Sequence, residues 1–172
     1  DKTLKVVDIS MLRWNQHQQG DKPSFRKTYQ GHRGYVVDGV KSPSHALYVS
    51  AASDGELRFF NADANEADAL THSETLGAPL NSIDFISSSQ LACAVRDLDR
   101  ALIFDLKRNC NYQIMQQIGN EESDILKLRF NSQELFGLHE RGLYAVDLRS
   151  QRQTFTVQDY VKDFVLLGST QL

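Results

Sequence analysis

Several things are scarce in this sequence, and each scarcity excludes something. Cys93 and Cys110 are the two cysteines in 172 residues, too few to build a disulfide scaffold. They are expected to be reduced thiols of an intracellular protein. No Asn-x-Ser/Thr acceptor interrupts that reading. No apolar run approaches the roughly 18 residues of a membrane helix, so no membrane partner is expected. Basic charge is not in excess: the net charge is −3 and the pI about 5.9. Binding nucleic acid through its phosphates therefore has no electrostatic support. Helical 3.6-residue periodicity of useful length is missing as well. The chain opens on Asp1 rather than Met, from which we expect processing or a partial chain.

Catalytic signatures are equally sparse. There is no Gly-x-Ser-x-Gly elbow, phosphate loop or dinucleotide fingerprint. His17, His32, His45, His72 and His139 are scattered without metal-ligand spacing, and no Cys-x-x-Cys pair exists. The acid pairs Glu121/Glu122 and Asp97/Asp99 fall at expected turns, where solvated carboxylates are ordinary. The expectation is a protein that is not an enzyme and has no metal and no cofactor.

What is present is a recurrence. Asp54-Gly55 followed by Glu-Leu-Arg-Phe-Phe-Asn61 reads as a tight turn leading into a short strand, because Gly tolerates positive φ and Asp bonds its own backbone. The same pattern returns at 1–8 and 140–147, and one residue longer at 97–105. The closing residues Asn61, Asp105 and Asp147 are 44 and 42 residues apart, whereas Asp8 and Asn61 are 53 apart. A Gln-rich loop over 10–23, holding the lone Trp14, accounts for the longer interval.

Around each copy the alternation predicts further strands. They cover 1–9 and 24–30, then 35–40, 46–52, 57–61 and 69–75. The next round covers 80–86, 90–95, 101–106 and 112–117. A third covers 125–130, 135–138, 143–148 and 154–157, and 161–167 begins another. A repeat of roughly 40–45 residues with four short strands is the spacing of propeller blades. Each unit is a small sheet that buries both faces only by stacking on its neighbours.

On these residues the sequence resembles the WD-repeat β-propeller family. The best match runs from Gly31-His32 through Asp54-Gly55 to Phe60-Asn61. The resemblance implies that His32 and Asp54 hydrogen-bond within a blade as a structural network. Departures accompany it. Val7, Phe60, Phe104 and Val146 stand where the family closes its third strand with Trp, and Gly77-Ala78 and Glu122-Ser123 stand where it has Gly-His. The implied architecture is all-β, a WD-repeat type propeller of about three full four-stranded blades with partial blades at each end. Residues 1–30 end one blade, 31–76, 77–118 and 119–158 form three, and 159–172 start a further one. A β-sandwich or another propeller family is the structural alternative. Propellers close with typically 4–8 blades, so the missing blades should come from a longer chain or from a partner.

The function this implies is non-enzymatic: an interaction scaffold, a subunit or segment of a multiprotein complex, with other proteins as partners. Aromatic and Arg side chains anchor interfaces, which singles out Trp14, Arg33, Tyr35, Arg96 and Arg100. Arg149 joins them because Val146-Asp147-Leu148-Arg149 looks like the Trp-Asp-x-Arg box of WD-repeat substrate receptors of cullin ubiquitin ligases. Substrate recognition for such a ligase is the alternative function.

Overall fold

The computed structural model describes residues 1–7, 25–98, 100–107, 111–117 and 123–166. Trp14, His17, Asp99, Cys110 and the Glu121/Glu122 pair lie outside the described residues. Strands form where short alternating stretches are bounded by turn residues. A two-stranded sheet pairs β1 (Leu4–Val7) with β2 (Phe25–Tyr29). Three four-stranded meanders follow, every neighbour antiparallel. The first holds β3 (Val36–Lys41), β4 (Leu47–Ala52), β5 (Glu56–Asn61) and β6 (Leu70–Thr75). The second holds β7 (Leu80–Phe85), β8 (Gln90–Val95), β9 (Arg100–Asp105) and β10 (Asn111–Gln117). The third holds β11 (Lys127–Asn131), β12 (Glu134–His139), β13 (Gly142–Asp147) and β14 (Arg152–Val157). The only helical turn among the described residues is a 3₁₀ turn at Glu66–Asp68.

The sheets stack because successive side chains of a strand point to opposite faces. In β8, Leu91, Cys93 and Val95 join Val49, Leu57 and Phe59 of the first sheet in one buried cluster. The intervening Ala92 and Ala94 face Leu128, Leu135 and Tyr144 of the third sheet. Large side chains thus fill one interface and alanines let the other close up. β9 repeats this, with Leu102 and Phe104 on the first side and Ala101 and Ile103 on the other. Each such Leu or Phe, fully buried, contributes about 1.5–3 kcal/mol. The small sheet covers the remaining face of the first meander, where Tyr29 stacks on Phe60 at a centroid distance of 4.7 Å. Lys27 fastens it by donating to the carbonyls of Ala62 and Ala64.

One expected strand is not found. Residues 158–166 are irregular, although the apolar run from Val161 predicts a strand there. A strand is held by its hydrogen-bonded neighbour, and no described strand pairs with this stretch. It packs instead as a strap, with Phe164 6.3 Å from Phe136 and Asp163 paired with Lys127.

Candidate interaction site

Asp54 organises one end of the first sheet. It sits in the β4–β5 turn, which Gly55 completes at φ +80°. A Cβ at Gly55 would come within 2.9 Å of the Ala78 carbonyl oxygen, so glycine is required by conformation and by space. Asp54 Oδ2 accepts the backbone N–H groups of Arg33 at 2.7 Å and Gly34 at 3.0 Å, and Oδ1 accepts that of Glu56 at 3.0 Å. His32 Nδ1 lies 3.2 Å from Oδ2, and its Nε2 lies 2.7 Å from the Ser50 hydroxyl. His32 and Asp54, chosen from the sequence, are therefore in contact. Ser50 completes the set and was not singled out, because a serine inside an apolar strand carries no motif of its own.

Proton placement follows from the partners. A carboxylate only accepts, so Nδ1 carries the hydrogen. Burial lowers the His32 pKa below 6.5, although Asp54 pulls it the other way. The ring is then neutral at pH 7 and Nε2 accepts the Ser50 hydroxyl. Burial would raise Asp54, but the N–H groups of Gly34, Glu56 and Arg33, with His32, outweigh it and hold the carboxyl at about 2.

This clamp fixes the loop that carries two candidate contact residues. The Tyr35 N–H donates to Ser53 Oγ at 2.8 Å, and its carbonyl accepts the Ser53 N–H at 2.8 Å. Its ring is 67% exposed, and Arg33 is exposed beside it. Gly31, at φ +122°, lies against the Arg58 guanidinium, where a Cβ would collide. Arg58 is itself held by Glu56 Oε2 at 2.8 Å. The local backbone is thus held by hydrogen bonds, and the two side chains on it are exposed.

Arg96 is exposed in the β8–β9 turn, at the same end of its sheet as the β4–β5 turn is of its own. Arg100 opens β9 at that end and is also exposed. Arg149 lies at the opposite end, in the β13–β14 turn. There Asp147 Oδ1 accepts the N–H groups of Arg149 at 3.0 Å and Ser150 at 2.6 Å. The Ser150 bonds are the main reason the Asp147 carboxyl is lowered. Asp147 and Arg149 thus make an ordinary turn, and nothing beyond it supports the likeness to the ligase-receptor box.

His32, Asp54 and Glu56 are the one group of potential metal ligands close together among the described residues. They do not fit an ion: Asp54 is committed to N–H donors and Glu56 to Arg58. The sequence reading also missed His139. It is fully buried at the end of β12, with Nδ1 3.1 Å from the Ser123 carbonyl oxygen and 3.2 Å from its hydroxyl. Its ring meets Tyr144 edge-on at 5.2 Å.

No helix among the described residues is long and apolar enough to cross a membrane. No family model matches the chain, and no curated protein matches it. Its fold is similar to the solved structure of U3-55K, with a TM-score of 0.60 and 17% identity over 76% of this chain. The match takes in 42% of the U3-55K chain, so this chain spans less than half of that one. The likeness carries the fold: an all-β chain of four antiparallel sheets, similar to a WD40 β-propeller.

Proposed function

We propose that the chain is a segment of a WD-repeat propeller that acts as a non-enzymatic protein–protein interaction module. In this reading 31–76, 77–118 and 119–158 are three full blades, 1–30 ends the blade before them and 159–172 starts the blade after. Other blades complete the ring, and the protein works inside the cell as part of a multiprotein complex. The observation that carries the reading is the Arg33–Tyr35 loop, a hydrogen-bonded backbone presenting an exposed ring and guanidinium. Interfaces are anchored by such residues, because ordering them costs little once the backbone is fixed.

Arg33 and Tyr35 contribute only backbone atoms to the clamp, so their side chains can be removed without disturbing it. Affinity purification followed by binding measurements with the purified partner tests the reading. The double variant Arg33→Ala/Tyr35→Ala is expected to weaken binding at least tenfold, about 1.4 kcal/mol, with an unchanged melting temperature. A partner that binds the double variant as tightly as the parent would remove this loop from the interface.

A further inference from the structure

The first strands of the three meanders, β3, β7 and β11, lie side by side. Each pairs with only one strand of its own sheet, β4, β8 and β12 respectively. Half of its N–H and C=O groups therefore face away from the ladder, as at any sheet edge. Such groups need partners where water is excluded. Two carboxylates supply them across the gaps. Asp38 Oδ2, from β3, accepts the Ile83 N–H of β7 at 3.2 Å and the Ser82 hydroxyl at 2.7 Å. Asp84 Oδ2, from β7, accepts the Phe130 N–H of β11 at 2.8 Å. Each carboxylate also turns its other oxygen to a neighbouring N–H of its own strand, Gly39 for Asp38 and Phe85 for Asp84, both at 2.9 Å. The device is thus used twice in the same form, one sheet apart.

Arg129 adds a third connection. Its Nη1 lies 3.3 Å from Asp38 Oδ2, 3.4 Å from Ser82 Oγ and 2.6 Å from the Leu128 carbonyl oxygen. It reaches from β11 past β7 to β3, joining residues 91 apart in sequence. We propose that Asp38, Asp84 and Arg129 form an inter-sheet clasp that sets the stacking of the three meanders, with Asp38 as the counter-ion of the guanidinium. The order of connection is β3 to β7, β7 to β11, and β11 back to β3. Burial raises the Asp84 carboxyl above the usual range, against the pull of the Phe130 N–H and Arg129. Asp84 serves β11 as a hydrogen-bond acceptor, while the guanidinium bonds Asp38. The pattern extends to the strap, where Lys127 of β11 donates to Asp163.

Carboxylates in apolar strands thus act as positioning residues. They hold the sheets whose ends carry Arg33, Tyr35 and Arg96 at fixed separations. This goes beyond the interaction reading and stands or falls apart from it.

Amide hydrogen exchange on the full chain, resolved by residue, tests the clasp. Asp38→Ala is expected to speed exchange at Ile83 at least tenfold and leave Phe130 within twofold. Asp84→Ala is expected to do the reverse. If either alanine variant fails to fold, Asp38→Asn and Asp84→Asn replace them, since each keeps an acceptor oxygen. Asp38→Asn should then preserve slow exchange at Ile83 and show a non-zero coupling with Arg129→Gln in a double-mutant cycle. Asp84→Asn should preserve slow exchange at Phe130 and show a smaller coupling with Arg129→Gln. Exchange rising equally at Ile83 and Phe130, or no coupling between Asp38→Asn and Arg129→Gln, would overturn the proposal.

Discussion

The first and third meanders both close one end with a buried histidine, but they run the connection in opposite directions. In the first, the histidine belongs to the loop before β3 and reaches into the sheet, to Asp54 and Ser50. In the third, it belongs to the sheet, at the end of β12, and reaches out to the loop, to Ser123. The first clamp collects three backbone N–H groups on one carboxylate. The third relies on one backbone carbonyl, one hydroxyl and an edge-on tyrosine. The second meander has neither arrangement: Gly77-Ala78 precedes β7, and Cys93 stands where β4 has Ser50. There the entering loop is held through the backbone, the Arg96 N–H donating to the Pro79 carbonyl at 2.8 Å. One structural need, fixing the loop that enters each sheet, is thus met by a carboxylate hub, a backbone bond or a reversed histidine.

The sharpest way to break this comparison is to delete each histidine system in turn. His139 is entirely buried against Tyr144, so His139→Ala leaves a cavity as well as a lost hydrogen bond. It is expected to cost about 3 kcal/mol. Asp54→Ala removes a hub nearer the surface, whose N–H groups can find water, and is expected to cost about 2 kcal/mol. Urea unfolding of both variants checks the order. A larger loss for Asp54→Ala would show that the hub, not burial, dominates.

Acid separates the two members of the first clamp. Asp54 has a carboxyl pKa of about 2 against an ordinary 3.8, so the unfolded chain takes up a proton before the folded one does. Its contribution, about 2 kcal/mol, is complete above about pH 5 and is lost progressively as pH falls through 2. His32 acts earlier: its folded pKa lies below 6.5, so stability starts to fall as pH drops through 6.5. Melting temperature followed from pH 7 to 3 is expected to decline in these two stages. His32→Gln should remove the upper stage and leave the lower one. A decline that keeps its upper stage in His32→Gln would assign that stage to another group.

How far these arrangements can be read from sequence differs for physical reasons. The strands are legible because alternation and turn residues are local: Leu91 to Val95 announces two faces before any partner is known. The Asp54 hub is legible because Gly31-His32 and Asp54-Gly55 resemble the WD-repeat pattern, which implies that the two side chains meet. His139 hides in Glu-Leu-Phe-Gly-Leu-His, an apolar strand, and Ser123 follows Glu122 in place of a Gly-His pair. Its one signal is its place immediately before the Glu140-Arg141 turn that the recurrence marks. Asp38 and Asp84 are visible as acids in apolar strands. What they bond is set by how sheets stack, which no short-range pattern encodes. The 161–167 alternation misleads for the same reason, since a strand exists only through its neighbour.

The smallest expected effects distinguish the clamps best. Ser50→Ala takes the hydroxyl donor from His32 Nε2, an atom within a ring that is almost fully buried. An acceptor left without its donor costs about 1 kcal/mol or more. Ser123→Ala looks like the same change, but the bond from His139 Nδ1 to the Ser123 carbonyl, at 3.1 Å, is a backbone bond and survives. The hydroxyl at 3.2 Å is the only loss, and about 0.5 kcal/mol or less is expected. Thermal melts of the two alanine variants side by side settle the point. Equal losses would mean that the third clamp, too, depends on its side-chain hydroxyl, and that the two ends differ in direction but not in kind.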